Sequence, residues 1–219
     1  MNKITTVLFD LDGTILDTNE LIIRSLLHAL ADTAPPGFGR EKIIPWMGQP
    51  IEVQMRQFSG REQVDDLIGA YRQYYREHQD RMISLFPHAA SVVSELKAGG
   101  IRLGVVTTKM RASTEQSLRL LGLYETMEAI VTVSDVERPK PHPEPVLKAM
   151  AALKAEPSAT LMVGDSPVDV EAAIRAGAVP AGVAWSLKGE AVLRAAGARL
   201  ILQDLRDLLH ICGIGAVEG

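Results

Sequence analysis

The chain has 219 residues, 47% of them hydrophobic and 23% charged, the balance of a folded domain rather than a disordered or fibrous one. With 23 Lys and Arg against 27 Asp and Glu, the net charge of −4 leaves no cationic footprint for nucleic acid. No apolar run approaches the roughly 20 residues of a membrane span, Asp10 and Asp12 come too early for a secretory leader, and the single cysteine, Cys212, suits a reducing compartment, so the expectation is a cytoplasmic protein with no membrane or obligate protein partner.

Residues 4–9 form a short β-rich run that ends at an acidic, glycine-containing turn, and they read as a buried strand. Residues 15–85 hold no convincing strand. Asp17 and Glu20 have the spacing of a capping box ahead of Ile22, Ile23, Leu26, Leu27 and Leu30, one apolar helix face. Residues 34–39 are turn-rich. Val64, Leu67, Ile68, Tyr71, Tyr74 and Tyr75 mark a second amphipathic helix, with the tyrosines on its core face. The 15–85 segment carries 8 basic and 10 acidic residues, so it is no cationic arm. From residue 86 onward, helices and strands alternate. Ala89, Val92, Val93 and Leu96 keep helix spacing up to the stop at Gly99-Gly100, and residues 101–106 follow as a strand. Residues 129–133, 161–163 and 179–184 are further strands. Between them lie a helix marked by Val146, Leu147, Met150 and Leu153 and another over 168–174, with Pro167 in its first turn and Gly177 as its stop. Residues 213–219 read as a loose tail. This alternation predicts an α/β protein, a three-layer Rossmann-like core around a parallel sheet, built from 1–14 and 86–219 with 15–85 as a helical insert.

Four strand ends carry the chemistry. In Asp10-Leu11-Asp12-Gly13-Thr14, two carboxylates two residues apart point to the same side, at the sheet edge where α/β proteins bind ligands. One can attack as a nucleophile while the other handles protons, and the pair invites a divalent cation. Alone, the motif serves equally as a solvated acidic turn. Val105-Val106-Thr107-Thr108-Lys109 offers hydroxyls and backbone N–H groups to phosphate oxygens, or simply ends a strand with β-branched residues. In Arg138-Pro139-Lys140-Pro141-His142-Pro143, two prolines fix a lysine that can neutralise a phosphoryl group and a nearby carboxylate, or that is solvated in a proline-rich loop. Gly164-Asp165-Ser166-Pro167-Val168-Asp169 adds two acids, whose hard oxygens suit Mg²⁺ rather than zinc, at a position where Asp165 or Ser166 also caps a helix.

In this order, on separate strand ends of one sheet, the motifs resemble those of the haloacid dehalogenase superfamily of phosphohydrolases. The resemblance spans nearly the whole chain, and the 15–85 insert sits where members carry a C1-type cap. It implies Asp10 as a nucleophile that forms an aspartyl-phosphate, and Asp12 as the acid, then the base. It implies Mg²⁺ held by the Asp10 carboxylate, the Asp12 backbone carbonyl and Asp165, with Asp169 orienting the site. Thr107, the Thr108 backbone and Lys140 would hold the phosphoryl oxygens. A closer resemblance, in residues 2–21, Tyr71-Arg72-Gln73, 105–109 and 182–189, is to inorganic pyrophosphatases of that family. It implies pyrophosphate as the small phosphate-containing substrate. Asp165-Ser166-Pro167-Val168-Asp169 is more similar to the phosphoglycolate phosphatases, so phosphoglycolate or another small phosphomonoester is the alternative, with an isomerase resembling β-phosphoglucomutase as a third. Trp46-Met47-Gly48-Gln49-Pro50 falls where C1 caps present a specificity loop: Gly48 would let the backbone approach a ligand and Gln49 could hydrogen-bond it. The same residues also make an ordinary turn with Trp46 in the core. Lys109 and Arg111 could hold the leaving phosphate of pyrophosphate, or be solvated charges at a helix start. Lys188 reads as a surface residue.

Overall fold

The computed structural model describes residues 2–215. Its strands, in chain order, are β1 (Thr6–Phe9), β2 (Leu16–Asp17), β3 (Ser84–Leu85), β4 (Arg102–Val106), β5 (Ala129–Val131), β6 (Thr160–Gly164), β7 (Val179–Val183) and β8 (Leu200–Leu202). The helices are α1 (Asn19–Ala29), α2 (Arg40–Ile43), α3 (Ile51–Ser59), α4 (Asp65–Met82), α5 (Ala89–Ala98), α6 (Arg111–Leu120), α7 (Glu144–Ala152), α8 (Pro167–Arg175), α9 (Glu190–Ala195) and α10 (Asp207–Ile211).

Six strands form one parallel sheet in the order β5-β4-β1-β6-β7-β8. β1 is central and wholly buried, which is why it reads as an unbroken apolar run. Successive side chains leave opposite faces. Val7 and Phe9 join Val92 and Leu96 of α5 and Leu208 of α10 on one side. Leu8 joins Val146 and Met150 of α7 and Ala172 and Ala173 of α8 on the other. Each fully buried Leu or Val contributes about 1.5–3 kcal/mol, so both faces hold the sheet. This is the expected three-layer α/β architecture.

The boundaries depart from the expectation in instructive ways. The strand expected over 129–133 ends at Val131 because Thr132 turns the chain: its amide and hydroxyl both donate to Asp135 Oδ2, at 2.8 and 2.6 Å. β8, a three-residue edge strand, was not expected. Leu147 is 47% exposed, and the α7 stripe is completed by the fully buried Ala149 instead. Of the tail read as loose, residues 216–219 lie outside the described residues. Ile214 is tied down: its amide donates to the Leu209 carbonyl at 2.7 Å and its side chain packs on the core over Gly99.

The stretch read as strandless begins and ends in strand. β2 and β3 pair antiparallel, Leu16 with Leu85 and Asp17 with Ser84, so the chain leaves and returns as a two-residue ribbon. Drawing Asp17 into that ribbon removes the expected capping box. α1 starts after Thr18 with no side-chain cap, and Glu20 bonds Arg24 and Arg40 at 2.9 and 2.8 Å. Between the two strands, α1, α3 and α4 share a core of their own, including Ile23, Leu26, Leu30, Met55, Phe58 and Leu67.

Candidate active site

The C-terminal ends of β1, β4 and β6 meet at one point. The Asp10 amide continues the ladder past β1 by donating to Val163 at 2.8 Å, and the Thr107 amide does the same past β4 to Val131 at 2.9 Å. The loop after β5 brings in Lys140. Its ammonium, 1% exposed, donates to Asp10 Oδ1 at 2.8 Å, Asp169 Oδ1 at 2.6 Å and the Val106 carbonyl at 2.8 Å. All three of its protons are therefore spent on protein, and Lys140 stands behind Asp10 rather than on the cavity wall. Asp169 is fully engaged as well, since its Oδ2 accepts the Ser166 amide at 3.0 Å at the start of α8. This carboxylate holds the lysine in place.

Carboxylate oxygens of Asp10, Asp165 and Asp169 lie within 4.8 Å of one another. Burial pushes the Asp10 carboxyl up to about 7 in spite of Lys140, and the Asp165 carboxyl up to about 6 in spite of Lys188. Burial alone would lower Lys140, but the two carboxylates raise it. The site is thus short of positive charge. Among the described residues, Asp10 Oδ2 and the Asp165 carboxylate accept no hydrogen bond, and hard, buried, under-neutralised oxygens fit a divalent cation. Asp12 lies apart from this cluster: its carboxylate accepts from Lys109 Nζ at 3.0 and 3.3 Å.

A cavity of about 350 Å³ opens in front of Asp10, Asp12 and Asp165, with Thr107, Thr108 and Lys109 on the sheet side. Gly48, Gln49, Tyr71 and Tyr75 wall it from the helical segment. The loop at Gly48 rests directly on the sheet domain. Thr108 Oγ1 donates to the Gly48 carbonyl at 3.0 Å and Ser166 Oγ to that of Met47 at 3.3 Å. Gly48 has φ +92°, and a Cβ there would stand 2.7 Å from Ser166 Oγ, so only glycine allows this approach. Trp46 packs against the segment's own core, edge-on to Phe58.

Lys140, expected to hold phosphoryl oxygens, instead holds Asp10 and Asp169, and three further expectations need correction. Arg111 does not line the cavity; it donates to Asp135 at 2.7 Å, to Glu115 at 3.1 Å and to the Ile130 carbonyl at 2.9 Å, a structural tie between α6 and the β5 loop. Lys188 is not at the surface: its side chain is 4% exposed and its ammonium lies 3.8 Å from Asp165 Oδ2, carried inward by the turn that also anchors Ser186 Oγ on the Asp165 carbonyl. Tyr75 is more than core, because its hydroxyl meets Lys109 Nζ at 2.6 Å. Nothing in the apolar periodicity marks that hydroxyl. Lys188 did have a signal, since it lies in the 182–189 stretch that carried the closer resemblance.

A parallel α/β sheet whose strand ends gather a buried Asp–Lys–Asp chain under a helical roof defines a class. The chain belongs to the haloacid dehalogenase-like hydrolase family, whose model matches residues 7–183, and it is an enzyme of that family. Pyrophosphatase PpaX of Bacillus velezensis is 42% identical over 214 residues, covering 97% of this chain and 98% of the relative. A solved structure from Bacteroides fragilis, assigned as a haloacid dehalogenase-like hydrolase, superposes with a TM-score of 0.82 at 30% identity, over 94% of this chain and 100% of that one. Another from Haemophilus somnus, a phosphoglycolate phosphatase by prediction, has a TM-score of 0.83 at 25% identity, over 96% of this chain and 99% of the other. Among the described residues no helix is long and apolar enough to cross a membrane.

Proposed function

We propose that this enzyme hydrolyses inorganic pyrophosphate in the cytoplasm, with Mg²⁺ and through an aspartyl-phosphate. The observation that carries the chemistry is Asp10, one oxygen fixed by a buried ammonium and the other unengaged beside the cavity. The near full-length likeness to PpaX supports the substrate. In this reading residues 15–85 are a cap and 1–14 with 86–219 the core, a division supported by the β2–β3 ribbon and by the segment's separate apolar cluster.

Asp10 attacks the nearer phosphorus, and the bond to the bridging oxygen breaks as phosphate leaves. Asp12 supplies a proton to that oxygen and then takes one from the water that cleaves the aspartyl-phosphate. Thr107 and the Thr108 backbone orient the phosphoryl oxygens. Lys140 acts through Asp10, keeping it ionised and aimed. Asp10, the Asp12 carbonyl and Asp165 would hold Mg²⁺, with Asp169 acting through Lys140 and Ser166. The cation supplies charge neutralisation for the phosphoryl group. The roof excludes water while Asp10 reacts.

The test is phosphate release, with and without Mg²⁺, from pyrophosphate, 2-phosphoglycolate, β-glucose 1-phosphate and p-nitrophenyl phosphate. Pyrophosphate should lead in kcat/KM by more than about tenfold, about 1.4 kcal/mol of transition-state binding. A lead for phosphoglycolate would overturn the substrate and keep the chemistry.

Stability gives a second check. Asp10 and Asp165 titrate near 7 and 6 when folded against an ordinary 3.8, so between these values the folded chain holds more protons than the unfolded one. Chelator-treated protein should therefore lose stability as pH rises from about 4 to about 7. Mg²⁺ needs the ionised carboxylates, so its stabilisation should grow over the same window. At a hundredfold excess over Kd it contributes about 2.7 kcal/mol, or about 5–10 °C in Tm for a chain of this size. Thermal melts near pH 8 should show that gain and melts near pH 5 should not. A gain equal at both, or one kept by Asp165→Asn, would remove Asp165 from the metal site.

A further inference from the structure

On the pyrophosphate reading, the outgoing phosphate needs a receptor, and neither cation offered by the sequence is free to serve. Arg111 faces away from the cavity, and Lys109 is already matched by Asp12. We propose that Arg72 and Arg76 of α4 form the subsite for the distal phosphate of the substrate.

Both arginines line the cavity that holds Asp10 and Asp12, and both are exposed at its outer side. They are one helical turn apart, and with Tyr75 they share one face of α4. The Tyr75 hydroxyl bonds Lys109, which bonds Asp12, so this face is tied to the reacting end of the cavity. Exposed arginines on a helix are ordinary, and Arg81 of the same helix also lacks a counter-charge; Arg72 and Arg76 combine that lack with a place on the cavity wall. Among the described residues neither has a carboxylate within 4.0 Å, although Glu52 and Asp65 line the same cavity. Other arginines of the helical segment do take carboxylates: Arg24 and Arg40 take Glu20, Arg56 takes Glu52 and Arg61 takes Asp66. Two like charges at this spacing repel each other and destabilise a helix, a cost that an anion between them would offset. The planar guanidinium fork matches phosphate oxygens in pairs, and two forks facing one cavity suit a dianionic terminal group. Their outer placement fits the product that departs first.

The experiment is calorimetric titration, in Mg²⁺, of imidodiphosphate (a pyrophosphate analogue with a nitrogen bridge) and of inorganic phosphate. The proteins are the wild type, Arg72→Gln, Arg76→Gln, the double variant and the double Arg→Lys variant. Gln is a good helix former and both sites are exposed, so the variants should fold. The double Gln variant should bind imidodiphosphate at least about tenfold more weakly while phosphate binding changes less than about twofold. The Lys pair should recover part of the loss. Unchanged imidodiphosphate affinity, or an equal loss for both ligands, would overturn the subsite. Phosphate release from pyrophosphate by the wild type is measured alongside. No turnover with arginine-dependent imidodiphosphate binding would sink the pyrophosphate reading alone, whereas turnover with arginine-independent binding would sink the subsite alone.

Discussion

Asp10→Asn is expected to lower pyrophosphate hydrolysis by about a thousandfold or more, the scale on which removal of a covalent nucleophile acts. The fold should survive the change. Asn keeps the shape of the side chain, and its carbonyl oxygen can still accept from Lys140 where Asp10 Oδ1 does so at 2.8 Å. It also removes a buried charge that the site accommodates poorly, since burial raises the Asp10 carboxyl to about 7. In chelator near pH 8 the variant should therefore melt no lower than the wild type. An inactive protein of undiminished stability would identify Asp10 as the reacting group rather than a structural one. Activity within about tenfold of the wild type would end the aspartyl-phosphate mechanism.

Lys140→Met should do the opposite to the fold. The side chain has similar length and its site is closed to solvent, but Asp10 and Asp169 would then face each other with no ammonium between them. Removing one partner of a buried ionic network costs about 3–5 kcal/mol, which for a chain of this size lowers Tm by about 10 °C. Turnover should fall as well, because the unpaired Asp10 holds its proton at neutral pH. Adding Asp169→Asn to Lys140→Met should recover part of the melting temperature by deleting one of the orphaned charges, without restoring activity. A single Lys140→Met variant that melts with the wild type would show that these carboxylates are neutral in the folded chain, and with it the charge assignment would fall.

The parts of this molecule that were legible in its sequence are those that a repeating physical rule writes. Buried parallel strands leave unbroken apolar runs, so β1, β4, β6 and β7 were visible, and the acids that follow β1 and β6, each able to serve alone as an acidic turn or a helix cap, stood out in combination with the Thr107 and Lys140 motifs. Apart from β5, the shortest strands were not visible. β8 has three residues and β2 and β3 two each, too few for any period. The capping box at Asp17 and Glu20 failed because a partner 67 positions away in the chain claimed Asp17 for a strand. Site geometry divided in the same way. Thr107, Lys140, Asp165 and Asp169 converge as their positions after the strands require. Lys188 and Arg111 exchanged roles, surface for interior and site for scaffold, because which way a side chain turns at a loop depends on neighbours distant in sequence. The hydroxyl of Tyr75 was hidden by the same apolar stripe that located its helix.

The ribbon of β2 and β3 has a consequence for how such an enzyme can change. Asp17 and Ser84 are backbone partners, so the chain departs from the sheet and comes back to it through a single doorway. Whatever is threaded between those two residues leaves the register of β1, β4 and β6 untouched. A lineage could shorten, lengthen or exchange that stretch, and with it the walls at Gly48, Arg72 and Tyr75, while the reacting groups kept their places. On the proposed division of core and cap, preference among substrates and capacity for the reaction would be inherited as separate traits, and a graft between relatives joined at these two residues would carry one without the other.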